Sequence, residues 1–433
     1  MRFLGIGEEC ELGDMYQRLA QAGHEVRVFI ESEASHDVFG NMIERVPDWN
    51  AHLHWIKEAG GDGVILFESA LKGALQDSLR AEGYQVIGGS RYGDRLEGDR
   101  EFGQAELREA GIQTAASREF TNYAAGMDFV RAHPGRYVFK SNGADSLRTR
   151  NYVGQMDDGR DVIALLHQYA AQCDGALQPG FVLMRHLQGV EVGVGAYFNG
   201  DSFLAPACLD WEHKRFFPDD LGELTGEMGT IVTYRHSTTI FEATLAKMAG
   251  KLRAGGYVGY INLNLIANRQ GLWPLEFTSR FGYPGFAICE TLHGERWDSI
   301  FRKMLGRGGE RIATRPGFAA GIVLTVPPFP YAYGYALLSK GAPVFFRSPL
   351  TEAQRSRLHF CQVAEDEGQL IASGTTGCIA VATGKGATVE AARLQACRLA
   401  DQILVANIRY RRDIGKKLVE HDLAFLRACG YIR

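Results

Sequence analysis

The chain has 433 residues, 45% of them hydrophobic and 23% charged, which is too long for one core and excludes wholesale disorder. Forty-seven Lys and Arg against 51 Asp and Glu give a net charge of −4, which argues against a dedicated nucleic-acid binder with its basic face. No apolar run of about 18 residues occurs. The N-terminus runs straight into Glu8 and Glu9 without an export signal's long apolar core, and the eight cysteines are scattered with no C-x-x-C pair. The expectation is a cytoplasmic protein with neither membrane nor nucleic acid as partner.

Residues 2–6 read as a strand, 14–22 as a helix closed by Gly23, and 25–30 as a second strand. A buried strand over 63–67, an amphipathic helix over 69–81 and a strand over 84–87 continue the alternation. This spacing predicts a parallel sheet with right-handed crossovers. A charged helix follows over 100–110, and 136–140 and 181–184 read as strands of a small insert. The apolar stretch 190–203 reads as paired strands turning at Asn199-Gly200, and 256–267 with 272–277 as a hairpin. The stretch 306–317 reads as a linker. Beyond it, 319–326 and 369–382 are predicted strands and 388–408 a helix.

Gly5-x-Gly7 after a strand lacks the third glycine of a dinucleotide loop, because Cys10 stands there. Glu8, Glu9, Glu11 and Asp14 suit a helix N-terminus but would repel a phosphate on the same amides. Gly384-Lys385-Gly386 has neither the spacing nor the hydroxyl of a phosphate-binding loop. His52 and His54 would share a face only on a strand, and their neighbourhood reads helical. The middle of the chain is more informative. Asn262 and Asn264 alternate with Leu263 and Leu265, so both amides face one side of a strand, and Glu276, Thr278 and Arg280 close the next. If the two strands pair, a carboxylate, amide oxygens, a hydroxyl and a guanidinium converge, a set suited to Mg²⁺. The alternative is a polar sheet end with ordinary surface pairs.

The segment from Leu275 to Pro284 resembles the metal-binding strand E-F-N-x-R-F-G-D-P-E of the phosphoribosylamine–glycine ligase family of ATP-grasp enzymes. Glu212-His213-Lys214-Arg215, followed by Thr225-Gly226-Glu227-Met228-Gly229, is similar to that family's D-H-K-R and T-G-G-M-G. Leu96-Glu97-Gly98-Asp99-Arg100 resembles L-E-G-S-K, Phe139-Lys140-Ser141-Asn142-Gly143 resembles V-K-A-D-G, and Tyr410 to Gly415 repeats Y-R-R-D-I-G. The resemblance implies an ATP-grasp fold of mixed α/β and α+β character. Residues 1–98 would form an N-terminal parallel-sheet domain, 99–310 the ATP-grasp domain with a small lid over 123–190, and 311–433 a C-terminal α+β domain.

By position, the resemblance also implies roles. Arg100 and Lys140 hold the phosphates of ATP, His186 and Leu187 lie at the adenine hinge, and Glu191 holds the ribose. Glu276 is a ligand of Mg²⁺ (or Mn²⁺), and Thr278 stands where the family has asparagine, leaving Asn262 or Asn264 as substitutes. Arg280, Lys214 and Arg215 serve the reacting carboxylate. Gly7, Glu8, Glu68, Thr225, Gly226, Glu227, Met228 and Tyr283 line the substrate side. The implied chemistry joins a small-molecule carboxylate, an amino acid, to an amine through an acyl phosphate, with release of ADP and phosphate, in a monomer or homodimer.

The departures concern the amine. The family's basic residue in G-G-R-E-H is replaced by acids in residues 7–12, its S-G-G-R becomes Ser373-Gly374-Thr375-Thr376, and its D-P-E becomes Tyr283-Pro284-Gly285. The expectation is therefore a ligase whose acceptor is not phosphoribosylamine. Two alternatives stand beside it. One is the family's own reaction, with Arg148 or Arg150 taking the sugar phosphate. The other is a non-catalytic nucleotide-binding homologue, motivated by Thr278 and by Met184-Arg185 in place of an acidic pair.

Overall fold

Four short strands open the chain: β1 (Arg2–Gly7), β2 (Glu25–Ile30), β3 (Gly63–Phe67) and β4 (Val86–Ile87). They pair in parallel in the order β2-β1-β3-β4. β3 is buried at every position and β1 at all but one, as apolar runs in a parallel sheet covered on both faces must be. The computed structural model describes residues 1–141, 151–173 and 180–433. The predicted helix over 69–81 begins only at Gly73, whose N–H is taken by the Asp94 carboxylate at 2.6 Å. Ahead of it the chain turns, with Leu71 at φ 74°.

A second layer holds β5 (Ser117–Phe120), β6 (Tyr137–Ser141), β7 (Tyr152–Val153) and β8 (Phe181–Arg185), in the antiparallel order β5-β8-β6-β7. Helices Tyr123–Ala132 and Arg160–Gln172 pack on it around a separate aromatic core that includes Phe120, Phe139 and Phe181. The layer begins at Ser117, ahead of residue 123.

The remaining strands are β9 (Val190–Asn199), β10 (Cys208–Glu212), β11 (Arg215–Phe217), β12 (Leu221–Leu224), β13 (Gly229–Thr233), β14 (Val258–Asn268), β15 (Gly271–Thr278), β16 (Phe318–Thr325), β17 (Phe345–Phe346), β18 (Leu358–Phe360), β19 (Val363–Asp366), β20 (Gln369–Ala372), β21 (Cys378–Gly386) and β22 (Ile403–Leu404). Eight of them form one sheet in the order β15-β14-β9-β10-β13-β16-β21-β18. The sheet thus runs from the predicted hairpin, now β14–β15, into strands beyond residue 311. No helix among the described residues is long and apolar enough to cross a membrane.

Three further sequence expectations are corrected. The stretch 190–203 is one ten-residue strand with a single bridge from Phe198 to Phe203, not two paired strands. Its near-continuous apolar run reflects burial at eight of its ten positions, with β14 and β10 as its antiparallel neighbours. The strand expected over 369–382 is divided between β20 and β21, in different sheets, with Gly374 and Gly377 between them at φ 71° and 84°. The helix expected over 388–408 ends at Ala400, and β22 follows, paired with β17. The stretch 306–317 carries only single bridges, as a linker would.

Candidate active site

Strand periodicity builds the site. Side chains two apart share a face, so Glu191 on β9, Asp210 and Glu212 on β10, Asn262 and Asn264 on β14, and Glu276 and Thr278 on β15 each present as alternating sets. The register joins these sets. Asn264 lies opposite Glu276 and Asn262 opposite Thr278, while on the other side Asn264 faces Gly193 and Asn262 faces Gly195. Gly193 is in turn opposite Asp210. The glycines make room for this polar stripe: a Cβ on Gly193 would stand 2.1 Å from Asp210 Oδ1, and one on Gly195 1.9 Å from the Tyr260 hydroxyl.

Three cations and three carboxylates interlock above the stripe. Glu276 accepts from Arg100 at 3.1 Å and from Lys140 at 3.2 Å, with Lys214 at 3.7 Å. Lys214 donates to Glu191 at 2.8 Å and stands 3.0 Å from Glu212. The Asn264 amide nitrogen donates to Glu191 at 2.8 Å and to Glu212 at 3.4 Å, and its oxygen has no hydrogen-bond donor among the described residues. Asn262 is committed elsewhere, donating to Asp210 at 2.6 Å. The Lys140 ammonium holds the Glu276 carboxyl far below the usual carboxylate range, against the effect of burial, and Lys214 and Arg100 add to this. Burial pushes Lys140 down, although Glu276 opposes it. Burial would push Lys214 down too, but Glu191 and Glu212 outweigh it and raise it.

Beside the charges lies an apolar cluster. Ala115, Val182 and Met184 are buried, and Val138, Leu187 and Leu275 pack against them. Val138 is two residues from Lys140 on β6 and Leu275 one from Glu276 on β15, so these two strands carry part of the cluster and part of the charge set. Among the described residues, Arg100 Nη1 is buried with no hydrogen-bond partner. An apolar cluster adjoining grouped cations, an orphaned guanidinium nitrogen and a carboxylate set suits a nucleotide with a divalent cation.

Other predicted residues are distributed around this centre. His186 lines a different cavity with Arg136, Asp157 and Gln188, and burial and Arg136 lower its pKa. Arg215 donates to the Gly222 carbonyl on the β11–β12 hairpin. Thr225 fixes the Lys214 main chain, its N–H and hydroxyl both donating to the Lys214 carbonyl at 2.8 and 2.9 Å. Met228 donates its N–H to the His213 carbonyl, Gly226 is exposed, and Glu227 accepts from the Thr230 hydroxyl. Arg280 is not in the Glu276 cluster. It pairs with Glu97 at 3.1 Å and Glu11 at 3.3 Å.

The N-terminal turn is acidic throughout. Glu8 is exposed, and Gly7 leaves room for Glu68, whose carboxylate a Cβ there would meet at 2.1 Å. Glu68 is fully buried and accepts the Glu11 N–H at 2.9 Å. Burial, and then Glu11, raise its pKa to about 8. Tyr283 directs its hydroxyl to the sulfurs of Cys361 and Cys378.

Sequence reasoning missed Glu212, Glu97 and Asp210 as members of these networks. Glu212 and Glu97 stand inside the quoted segments, and the Asp210-Trp211-Glu212 alternation was the available signal for a shared face.

Residues 98–286 match the family model described as phosphoribosylglycinamide synthetase, ATP-grasp (A) domain. The phosphoribosylamine–glycine ligase of Neisseria meningitidis serogroup B is 24% identical over 97% of this chain and all of its own length. That of Haemophilus influenzae is 26% identical over 82% of this chain and 83% of its own. Among solved structures, the phosphoribosylamine–glycine ligase of Thermotoga maritima superposes with a TM-score of 0.72 at 22% identity, covering 96% of this chain and all of its own. The biotin carboxylase domain of Hydrogenobacter thermophilus 2-oxoglutarate carboxylase, solved with MgADP and bicarbonate, gives 0.66 at 10% identity, covering 99% and 98%. These structures share the ATP-grasp fold of this chain.

Proposed function

The chain is an ATP-grasp ligase resembling phosphoribosylamine–glycine ligase, and on that premise we propose that it joins an amino-acid carboxylate to an amine, with ATP converted to ADP and phosphate. ATP-grasp ligases use ATP and Mg²⁺, and the metal supplies charge neutralisation on the phosphates. In this chain Glu276, Glu212 and the oxygen of Asn264 would hold the metal. Arg100 and Lys140 would bind the phosphates, and the apolar cluster that Leu187 and Leu275 flank would meet the base. Lys214 keeps Glu191, Glu212 and Glu276 together while they are unengaged, and its ammonium can turn to the reacting carboxylate. The lid layer, whose Lys140 reaches Glu276, would exclude water on closure.

The proposed acceptor is an amine other than phosphoribosylamine. One observation carries this reading: the turn that would meet the acceptor holds Glu8, Glu9 and Glu11 with Glu68 buried against it, and Arg280, the cation against it, is already paired with Glu11 and Glu97. Arg45 donates instead to the carbonyls of Val38 and His36. ADP release should be stimulated by an amino acid together with a cationic or neutral amine, and phosphoribosylamine should be a poor acceptor. Absence of stimulation by any pair in a broad panel would overturn the proposal.

A second reading is the family's own reaction. It is favoured by the full-length match to ligases that bear that name. Its phosphate ligands would be Arg148 or Arg150, which lie outside the described residues. Complementation of a purine-requiring strain would favour it, and failure despite good expression would count against it.

A further inference from the structure

Helix Gly13–Gln21, residues 290–298 and the end of helix Val389–Ala400 line a solvent-open cavity of about 970 Å³. It shares no lining residue with the Glu276 cluster or with the Arg280 pairs. Its carboxylates are already engaged: Glu290 with Arg18 at 3.6 Å, Glu295 with Lys303 at 2.6 Å and Asp298 with Arg296 at 3.0 Å. Its other cations are not. Arg315, Lys385 and Arg398 line the cavity with no side-chain ion pair or hydrogen bond among the described residues. Arg357 holds only neutral groups, the Ala353 carbonyl at 2.8 Å and the Gln395 amide oxygen at 2.6 Å.

Backbone pairing holds these cations side by side. Arg315 donates its N–H to the Leu292 carbonyl at 2.7 Å, Lys385 sits opposite Ala319 in the β16–β21 ladder, and the Arg357 carbonyl accepts from Thr383 at 2.9 Å. Burial lowers the Lys385 pKa, and Arg315 and Arg357 push it the same way, as expected for cations crowded without a counter-ion. The inner wall adds a buried polar ring. His293 is 3% exposed and lines the cavity, its Nε2 lies 2.8 Å from the Tyr234 hydroxyl, and its shielded Nδ1 has no partner among the described residues. With Tyr234 donating, the neutral imidazole carries its proton on Nδ1, a buried donor that lacks an acceptor.

We propose that this cavity binds a small organic polyanion, a molecule bearing two or more phosphate or carboxylate groups, at a site separate from the nucleotide. The volume lies within the roughly 300–1,000 Å³ of small-molecule pockets. The cationic wall supplies charge, and Trp297 and Leu399 supply an apolar face.

Calorimetric titration of the full chain with inorganic pyrophosphate and with citrate, without Mg²⁺, tests this. At least one probe should bind, with affinity that falls as salt is raised. Arg315→Gln/Lys385→Gln, a pair of exposed positions, should weaken binding at least tenfold. Arg100→Gln or Lys140→Gln, whichever folds, should leave it unchanged. Binding of pyrophosphate alone points to a phosphorylated ligand, and of citrate alone to a polycarboxylate. The proposal is overturned if neither probe binds, if the double variant binds like the wild type, or if the Arg100 or Lys140 variant abolishes the event and so places the ion at the nucleotide site.

Discussion

Glu276 carries three cations on one carboxylate, which makes it the sharpest test of the site. Glu276→Gln keeps the volume and removes the charge. Neutralising phosphate charge through a metal is worth several kcal/mol, and each ~1.4 kcal/mol is tenfold in rate. ADP release should fall about 10²-fold or more, with circular dichroism unchanged. Asn264→Asp tests the metal position separately. It sets a third carboxylate beside Glu191 and Glu212, so the melting temperature should fall without Mg²⁺ and rise more steeply than the wild type's when Mg²⁺ is added. An identical Mg²⁺ response in both proteins would remove Asn264 from the metal site. Glu68 adds a pH signature. Its pKa of about 8 lies above the unfolded carboxylate value, so the native state binds the extra proton. Its stabilising contribution is complete below about pH 4.5 and is lost as pH rises through 8, at up to ~1.4 kcal/mol per pH unit. Glu68→Gln should therefore gain stability relative to the wild type between pH 5 and pH 8, measured by denaturant unfolding at each pH.

At the scale of elements, the site depends on two adjacent strands approaching without side chains between them. Gly193 and Gly195 on β9 let Asp210 and Asn262 lie over the sheet. Gly193→Ala places a methyl against the Asp210 carboxylate in a sheet that cannot shift cheaply. A loss of about 1–3 kcal/mol follows from overpacking, together with lower ADP release. Gly98→Ala is the control. It ends helix Arg91–Gly98, and no atom lies within 4 Å of the added methyl. It should be neutral or stabilising by up to about 1 kcal/mol.

Across the whole molecule, the C-terminal segment supports the site from behind. Arg411 is 2% exposed, pairs with Asp413 at 2.6 Å and Asp220 at 3.1 Å, and donates to the Arg215 carbonyl at 2.9 Å. Gly415 donates its N–H to His213 Nε2 at 2.9 Å, next to Lys214. Burial keeps the His213 pKa low, so the ring stays a neutral acceptor. Removing one member of a buried pair is costly, so Arg411→Ala should destabilise the chain by about 3 kcal/mol. Unfolding by denaturant would measure it, and a change within about 0.5 kcal/mol would mean that the segment is tied down by other contacts.

Local periodicity was enough to bring Asn262 and Asn264 against Thr278 and Glu276. The four residues share one hairpin, whose register depends on a short turn and on alternation along two neighbouring strands. Parallel pairing of the first four strands was legible from a different local signal, the alternation of strand and helix that requires crossover connections. Motif resemblance pointed further, to Arg100 and Lys140, which meet on Glu276 across 176 and 136 residues of chain. Tertiary structure alone decided that β9 is a single strand between β14 and β10, that β16 and β21 extend the same sheet, and that Glu212 joins Glu191 on Lys214. It also turned Arg280 to Glu11, 269 residues away. Alternation is a property of the backbone and can be read from any short window. Which strands become neighbours depends on burying many apolar faces together, and the partner of each charge follows from that packing.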